Sequence, residues 1–186
     1  MSQQEWGTGD GQSGARISHS LFPVSRSSST AIRPASFADL PAIVELRLSL
    51  LKENGAHPIY GQLRPDARER GYALFGAQLR AAGETMLLAE RDGAIVGILR
   101  CVDTPNSPLL LPERYCYVSS VYVRPSVRRE GVLRALLARA EEWARARGLT
   151  EMRLHNVGNT AASAAWGALG FEVVEQVRRK PLPSSG

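Results

Sequence analysis

The stretch from Tyr115 to His155 constrains the fold more than any other part of the chain. Tyr115 to Val123 is rich in Tyr and Val and reads as a strand. Gly131 to Arg147 then places Val132, Leu133, Leu136, Leu137, Ala140, Trp143 and Ala144 on one helical face, with Gly148 as its cap. Glu151 to His155 reads as a strand again. A helix between two strands of one sheet requires the strands to be parallel and the crossover right-handed. Just upstream, Thr85 to Glu90 and Ala94 to Val102 flank Arg91-Asp92-Gly93, whose Asp-Gly pair is a hairpin turn signal, so these strands are antiparallel. One sheet must satisfy both demands. The fold class is therefore α/β with a mixed sheet, not a doubly wound one.

The other elements fit around this core. Ala31-Ile32-Arg33-Pro34 is a short first strand, and Ser36 with Asp39 three residues on resembles a capping box. Leu40, Ile43, Val44, Arg47, Leu48 and Leu51 recur at helical spacing, which predicts an amphipathic helix over about 38–53 that stops at Asn54-Gly55. A weaker helix covers 66–81, and the proline-bearing segment from Thr104 to Glu113 is a loop. A short Ala-rich helix is predicted over about 159–169 and a final strand from Phe171 to Val177. Residues 1–30 are Gly- and Ser-rich without apolar periodicity and read as a disordered extension, and 181–186 as a frayed tail. That leaves one domain over 31–180.

Charge and composition narrow the function. Lys and Arg number 23 against 18 Asp and Glu, a net charge of +5, and the charges of the N-terminal extension cancel, so the excess belongs to the domain. The excess allows anionic ligands without demanding nucleic acid. Basic residues alternate with Glu, as in Arg139-Ala140-Glu141-Glu142, the pattern of a solvated face. No apolar run of about 18 residues suggests a membrane span. Cys101 and Cys116 lack metal-ligand spacing and read as reduced, partly buried thiols. No metal, nucleic acid or membrane partner is expected, and the expected location is cytoplasmic.

The chemistry-bearing segment is Val121-Tyr122-Val123-Arg124-Pro125-Ser126-Val127-Arg128-Arg129-Glu130-Gly131-Val132-Leu133. It leads from a strand into a helix N-terminus, where unpaired backbone N–H groups and the positive dipole end favour an anion. Three arginines and a glycine in that turn suit a pyrophosphate. No Gly-Lys-Ser/Thr follows, which excludes a Walker loop, and the dinucleotide glycine triplet is missing.

This segment resembles the acetyl-CoA-binding motif of the GNAT superfamily of N-acyltransferases, Arg/Gln-x-x-Gly-x-Gly/Ala after a strand ending V-x-P. Arg128, Gly131 and Val123-Arg124-Pro125 match it, while Leu133 stands where Gly or Ala is usual. Asn159, Ala162, Gly170 and Phe171 fit the family's later pattern N-x-x-A-x-x-x-Y-x-x-x-G-F, and Trp166 stands at its Tyr. The resemblance implies a mostly antiparallel sheet with about four helices, whose fourth and fifth strands are parallel and splay apart. It also implies an acetyltransferase with acetyl-CoA as co-substrate and a primary amine, of a small molecule or a peptide, as acceptor. By the same resemblance, the edge at Val121, Tyr122 and Val123 would pair with the pantetheine arm. Backbone N–H groups over Arg128, Arg129, Glu130, Gly131, Val132 and Leu133 would hold the pyrophosphate. Asn159 would touch the pantetheine arm, and Trp166 would pack beside the cofactor.

Catalytic groups are less defined. Trp166 replaces the family's usual acid, and an indole N–H cannot serve as one. Ser163, one turn away, and His155, at the end of the fifth strand, are the candidates for proton transfer. Ser119 and Ser120 stand where many relatives carry a carboxylate, so a non-catalytic acyl-CoA-binding module is the alternative reading. Tyr115, Tyr117 and Tyr122 on the fourth strand, and Glu53, His57, Asp103 and Glu113 near the acceptor loops, are possible pocket residues. A monomer and a homodimer are equally compatible with the sequence.

Overall fold

A computed structural model describes residues 29–157 and 160–182. Its elements are β1 (Ala31–Pro34), α1 (Leu40–Glu53), α2 (Ala67–Gln78), β2 (Glu84–Arg91), β3 (Ala94–Pro105), β4 (Arg114–Val123), α3 (Val132–Arg145), β5 (Met152–Leu154) and α4 (Thr160–Gly167). The strands form one sheet in the order β1-β2-β3-β4-β5. The first four pair antiparallel, and β5 joins β4 in parallel. The mixed sheet predicted from the α3 crossover is thus the observed one. Asp92 and Gly93 both take positive φ at the β2–β3 turn, +51° and +75°, as a type I′ hairpin requires.

Two cores sandwich the sheet. On one face α3 presents Val132, Leu136, Leu137, Ala140 and Ala144 to Leu87, Leu99, Cys101, Cys116 and Val118. On the other, Ile43, Val44, Leu46 and Leu48 of α1 and Phe75 of α2 cover Met86, Leu88, Ile98 and Tyr122. Each such side chain contributes roughly 1.5–3 kcal/mol on burial. Cys101 and Cys116 are free thiols sealed in the α3 face. Among the described residues no helix is long and apolar enough to cross a membrane.

The structure amends the sequence reading in three places. The Ser36 cap precedes a 3-10 turn, Phe37–Asp39, and α1 begins only at Leu40. Asp39 is drawn sideways there: its carboxylate accepts from the Ser36 backbone N–H at 2.7 Å and from the Arg33 guanidinium at 2.8 and 2.9 Å. β3 runs on to Pro105, so the following loop is shorter than predicted. The strand predicted from Phe171 to Val177 does not form, and 171–182 carry no helix or strand. β5 offers a partner edge of only three residues, and Glu172, Glu175, Arg178, Arg179 and Lys180 keep the segment solvated. Val173, Val174 and Val177 are 81%, 78% and 69% exposed, whereas Phe171 packs edge-on against Trp166. The extension over 1–28 and residues 183–186 lie outside the described residues.

The Arg33–Asp39 pair ties β1 to the start of α1, and its hydrogen bonds hold the Asp39 carboxyl well below the usual carboxylate range. A depressed native pKa means that the contribution is fully present above the unfolded value of about 4 and fades as pH falls below it. Asp39→Asn should therefore lower unfolding stability at pH 7 by about 2 kcal/mol. In urea titrations the gap between variant and wild type should close as pH falls below about 4.

Candidate active site

The site begins with a defect in β4. Ile98 pairs with Tyr122 and Arg100 with Ser119, so β4 spends both Ser120 and Val121 against Leu99 alone. Ser120 accommodates the extra residue at φ +53°, in the left-handed region. A bulge of this kind bends the strand and raises its twist. β5 follows β4 only at Cys116, Tyr117 and Val118, opposite Met152, Arg153 and Leu154, and the strands then part. From Ser119 to Val123 the edge of β4 that faces away from β3 has no strand partner among the described residues. Val121, Tyr122 and Val123 lie on it.

That edge leads directly to the N-terminus of α3. A 3-10 turn, Pro125–Val127, reverses the chain, Arg129 takes φ +67°, and Gly131 is the α3 N-cap at φ +83° with no side chain capping the helix. The first backbone N–H groups of a helix have no intrahelical acceptor, so those of Val132, Leu133 and Arg134 are donors without a capping partner. A Cβ on Gly131 would meet nothing within 4 Å, so the space beside the N-cap is open. Leu133 turns into the α3 core, so its size does not fill that space.

The arginines of the turn divide their work. Arg124 donates to the Ile95 carbonyl at 3.0 Å. Arg128 donates to the Val123 carbonyl at 2.8 Å and to Glu53 at 2.7 Å, and lies over the Tyr122 ring. Tyr122 donates to the other Glu53 oxygen at 2.6 Å. Burial works to raise the Glu53 carboxyl, but the Tyr122 and Arg128 hydrogen bonds more than offset it and hold the group below the usual range. The last residue of α1 is thus clamped to the turn that leads into α3. Glu130 pairs with Arg91, while Arg129 makes no hydrogen bond or ion pair among the described residues.

On the α1 face of the splay, Tyr117 Oη and His155 Nδ1 lie 3.1 Å apart, and burial raises the Tyr117 hydroxyl above its usual value. Arg100 reaches Glu84 at 2.7 Å and Ser119 Oγ at 3.2 Å. Ser163 in α4 accepts from the Asn156 side chain at 3.1 Å, so it reaches the end of β5 but not the Tyr117–His155 pair. Trp166 packs with Phe171 against the α3 core. Asn159 lies outside the described residues. His57 is a loop residue whose Nδ1 accepts from the Ile59 and Tyr60 backbone. Asp103 stands opposite Cys116 in register, on the α3 face, and pairs with Arg114; Glu113 is exposed. Neither acid joins the α1 face of the splay. Among the described residues no cluster of His, Cys, Asp or Glu could hold a metal.

A family model for the acetyltransferase (GNAT) family matches residues 50–171. The chain is 32% identical over 158 residues to an aminoglycoside N(6')-acetyltransferase type 1 of Klebsiella aerogenes, covering 83% of this chain and 99% of that one. The chain belongs to the GNAT acetyltransferase family. Among solved GNAT structures, aminoglycoside N-acetyltransferase AAC(6')-Iy in complex with CoA superposes with a TM-score of 0.70 at 24% identity, over 86% of this chain and 98% of that one. A predicted acetyltransferase of Clostridium acetobutylicum solved with acetyl-CoA gives 0.67 at 19% identity, over 82% and 96%. As a member of that family the chain is an acyltransferase.

Two residues of this GNAT site go beyond the motifs. Glu53 is the hub of the clamp, and nothing local marks it, since its partners are far away in sequence. Arg47 is half-buried on the apolar stripe of α1 and has no hydrogen bond or ion pair among the described residues. Its signal was present in the sequence as a charge at a position whose helical neighbours are all apolar. Tyr122→Phe, which strips one of the two hydrogen bonds from Glu53, should cost about 1–2 kcal/mol in a urea midpoint measurement.

Proposed function

We propose that this GNAT enzyme transfers the acetyl group of acetyl-CoA to a primary amine by direct attack at the β4/β5 splay. One observation carries the reading: the unpaired edge of β4 ends on an uncapped α3 N-terminus whose approach is open. The edge at Val121, Tyr122 and Val123 suits the pantetheine amides, as an added strand would. Tyr122 contributes backbone there, since its hydroxyl is engaged by Glu53. The backbone N–H groups of Arg129, Glu130, Gly131, Val132 and Leu133, with the Arg129 guanidinium, suit the pyrophosphate, whereas that of Arg128, expected to join them, donates to the Pro125 carbonyl at 3.4 Å. By the family resemblance Asn159, which precedes α4 in the sequence, and Trp166 would add cofactor contacts. The two buried thiols suit a reducing compartment such as the cytoplasm.

His155 is the group best placed to take the amine proton. The tautomer decides its competence: when Nδ1–H donates to Tyr117 Oη, Nε2 is left as an acceptor. Tyr117 is then a positioning residue. Ser163 or water would return a proton to the departing thiolate. The relatives named for aminoglycosides make these polyamines an acceptor class to test first.

Acetyl-CoA should bind in calorimetry, and Gly131→Ala should weaken it at least about tenfold, because a Cβ at this positive φ costs about 1–2 kcal/mol and shifts the donors. No heat at millimolar cofactor would overturn the reading. With any acceptor that releases free CoA, His155→Gln should lower kcat by about a hundredfold. Cofactor binding without thiol release across a broad amine panel would favour a binding module instead.

A further inference from the structure

The acceptor side of the site carries a positive charge without a counter-ion. Arg47 projects from α1 into a cavity of about 560 Å³ bounded by α1, the 54–66 segment and α2. The walls are apolar, with Val44, Leu48, Ile59 and Phe75 among them, and no Asp or Glu lines it. The cavity's other two cations, Arg64 and Arg70, share the single carboxylate of Asp66, whereas Arg47 has no carboxylate partner. The ionisable groups that act on Arg47 are Tyr60, Tyr117 and Arg100. Arg100 is balanced by Glu84, and Tyr117 is the partner of His155. The nearby acids of α1 are occupied elsewhere, Glu45 with Arg68 and Glu53 in its clamp. Arg47 is therefore an unpaired guanidinium on the α1 side of the sheet, the side that also carries Tyr117, and burial lowers its pKa.

A half-buried guanidinium without an acceptor is costly, and a ligand oxygen that pairs with it recovers a charge-assisted hydrogen bond. An unpaired guanidinium beside apolar walls matches a carboxylate on an apolar body, and three arginines against one Asp66 favour an anion. A polycationic acceptor would meet repulsion there.

We propose that the physiological acceptor is an amine that also bears a carboxylate and an apolar body, with the carboxylate held by Arg47 and the amine presented at the splay. The proposal rests on amine acetylation at this site and names its substrate class. The transfer balances simply: the N–C bond forms as the C–S bond breaks, the amine proton leaves to the base, and the thiolate takes up a proton to give CoA.

The test compares matched acceptors by thiol release: L-leucine, L-phenylalanine and 6-aminohexanoate, each against its carboxamide, beside an aminoglycoside. The acids should exceed their amides by about ten- to a hundredfold in kcat/KM, the worth of one charged hydrogen bond. Arg47→Gln should erase that preference, with the loss carried in KM, and Arg47→Lys should retain part of it. Acetyl-CoA titration shows whether the Gln variant is folded, and the Lys variant carries the comparison if it is not. A preference for the amides or the aminoglycoside, an acid preference that survives Arg47→Gln, or no turnover of any acid would each overturn the proposal. Failure of the wild-type protein to bind acetyl-CoA would instead overturn the acetyltransferase reading beneath it.

Discussion

Everything in this site depends on β4 losing its second partner. Ser120 at φ +53° and Val121 share one place opposite Leu99, and that extra residue bends β4 away from β5 after Val118. Without the bulge, β5 would continue alongside β4 and fill the gap with its own backbone. With it, a row of peptide groups is left without strand partners in the middle of the fold. Such groups are costly to bury without partners. A ligand with amides of its own relieves that cost, which makes the opening a built site rather than a packing fault.

The bulge would be of little use if the next turn were loose. The chain leaves β4 at Val123, and within eight residues it must present the first N–H groups of α3. The clamp of Arg128 and Tyr122 on Glu53 holds that turn against the end of α1. It couples the two faces of the sheet: the helix that walls the acceptor cavity also fixes the entrance to the cofactor cradle. The clamp also changes how the arginine-rich turn is understood. Arg124 and Arg128 spend their guanidinium groups on the protein, so an anion at the cradle would be met by backbone dipoles and Arg129 rather than by three competing side chains.

Much of this was legible in the chain. The α3 stripe, the Asp-Gly hairpin and the strands on either side of the helix required a mixed sheet, and the sheet is mixed. The turn from Val123 to Leu133 was recognisable because anion binding at a helix start needs local features, a glycine and a strand end at short spacing. What stayed hidden was non-local. The Ser120 bulge depends on the register between two strands, and the Glu53 clamp joins residues 69 and 75 positions apart. The Phe171–Val177 segment failed as a strand for the same reason: its Val content has the propensity, but propensity acts only when an edge of sufficient length is present. Of the possible pocket acids, Asp103 takes the α3 face opposite Cys116 and Glu113 lies exposed just before β4, placements that depend on the β3–β4 register and on where β4 begins.

Charge links the two halves of the site. Nucleophilic attack needs the amine in its neutral form, and a nearby positive charge disfavours the ammonium. The α1 face carries Arg47 without a counter-ion, with Arg100 close by. A carboxylate held by Arg47 would cancel most of that field, so the base would still have to take the amine proton, and the ion pair would contribute to binding rather than to deprotonation. A polyamine would meet the field without a compensating ion pair, and its cost of approach would offset any ease in losing a proton.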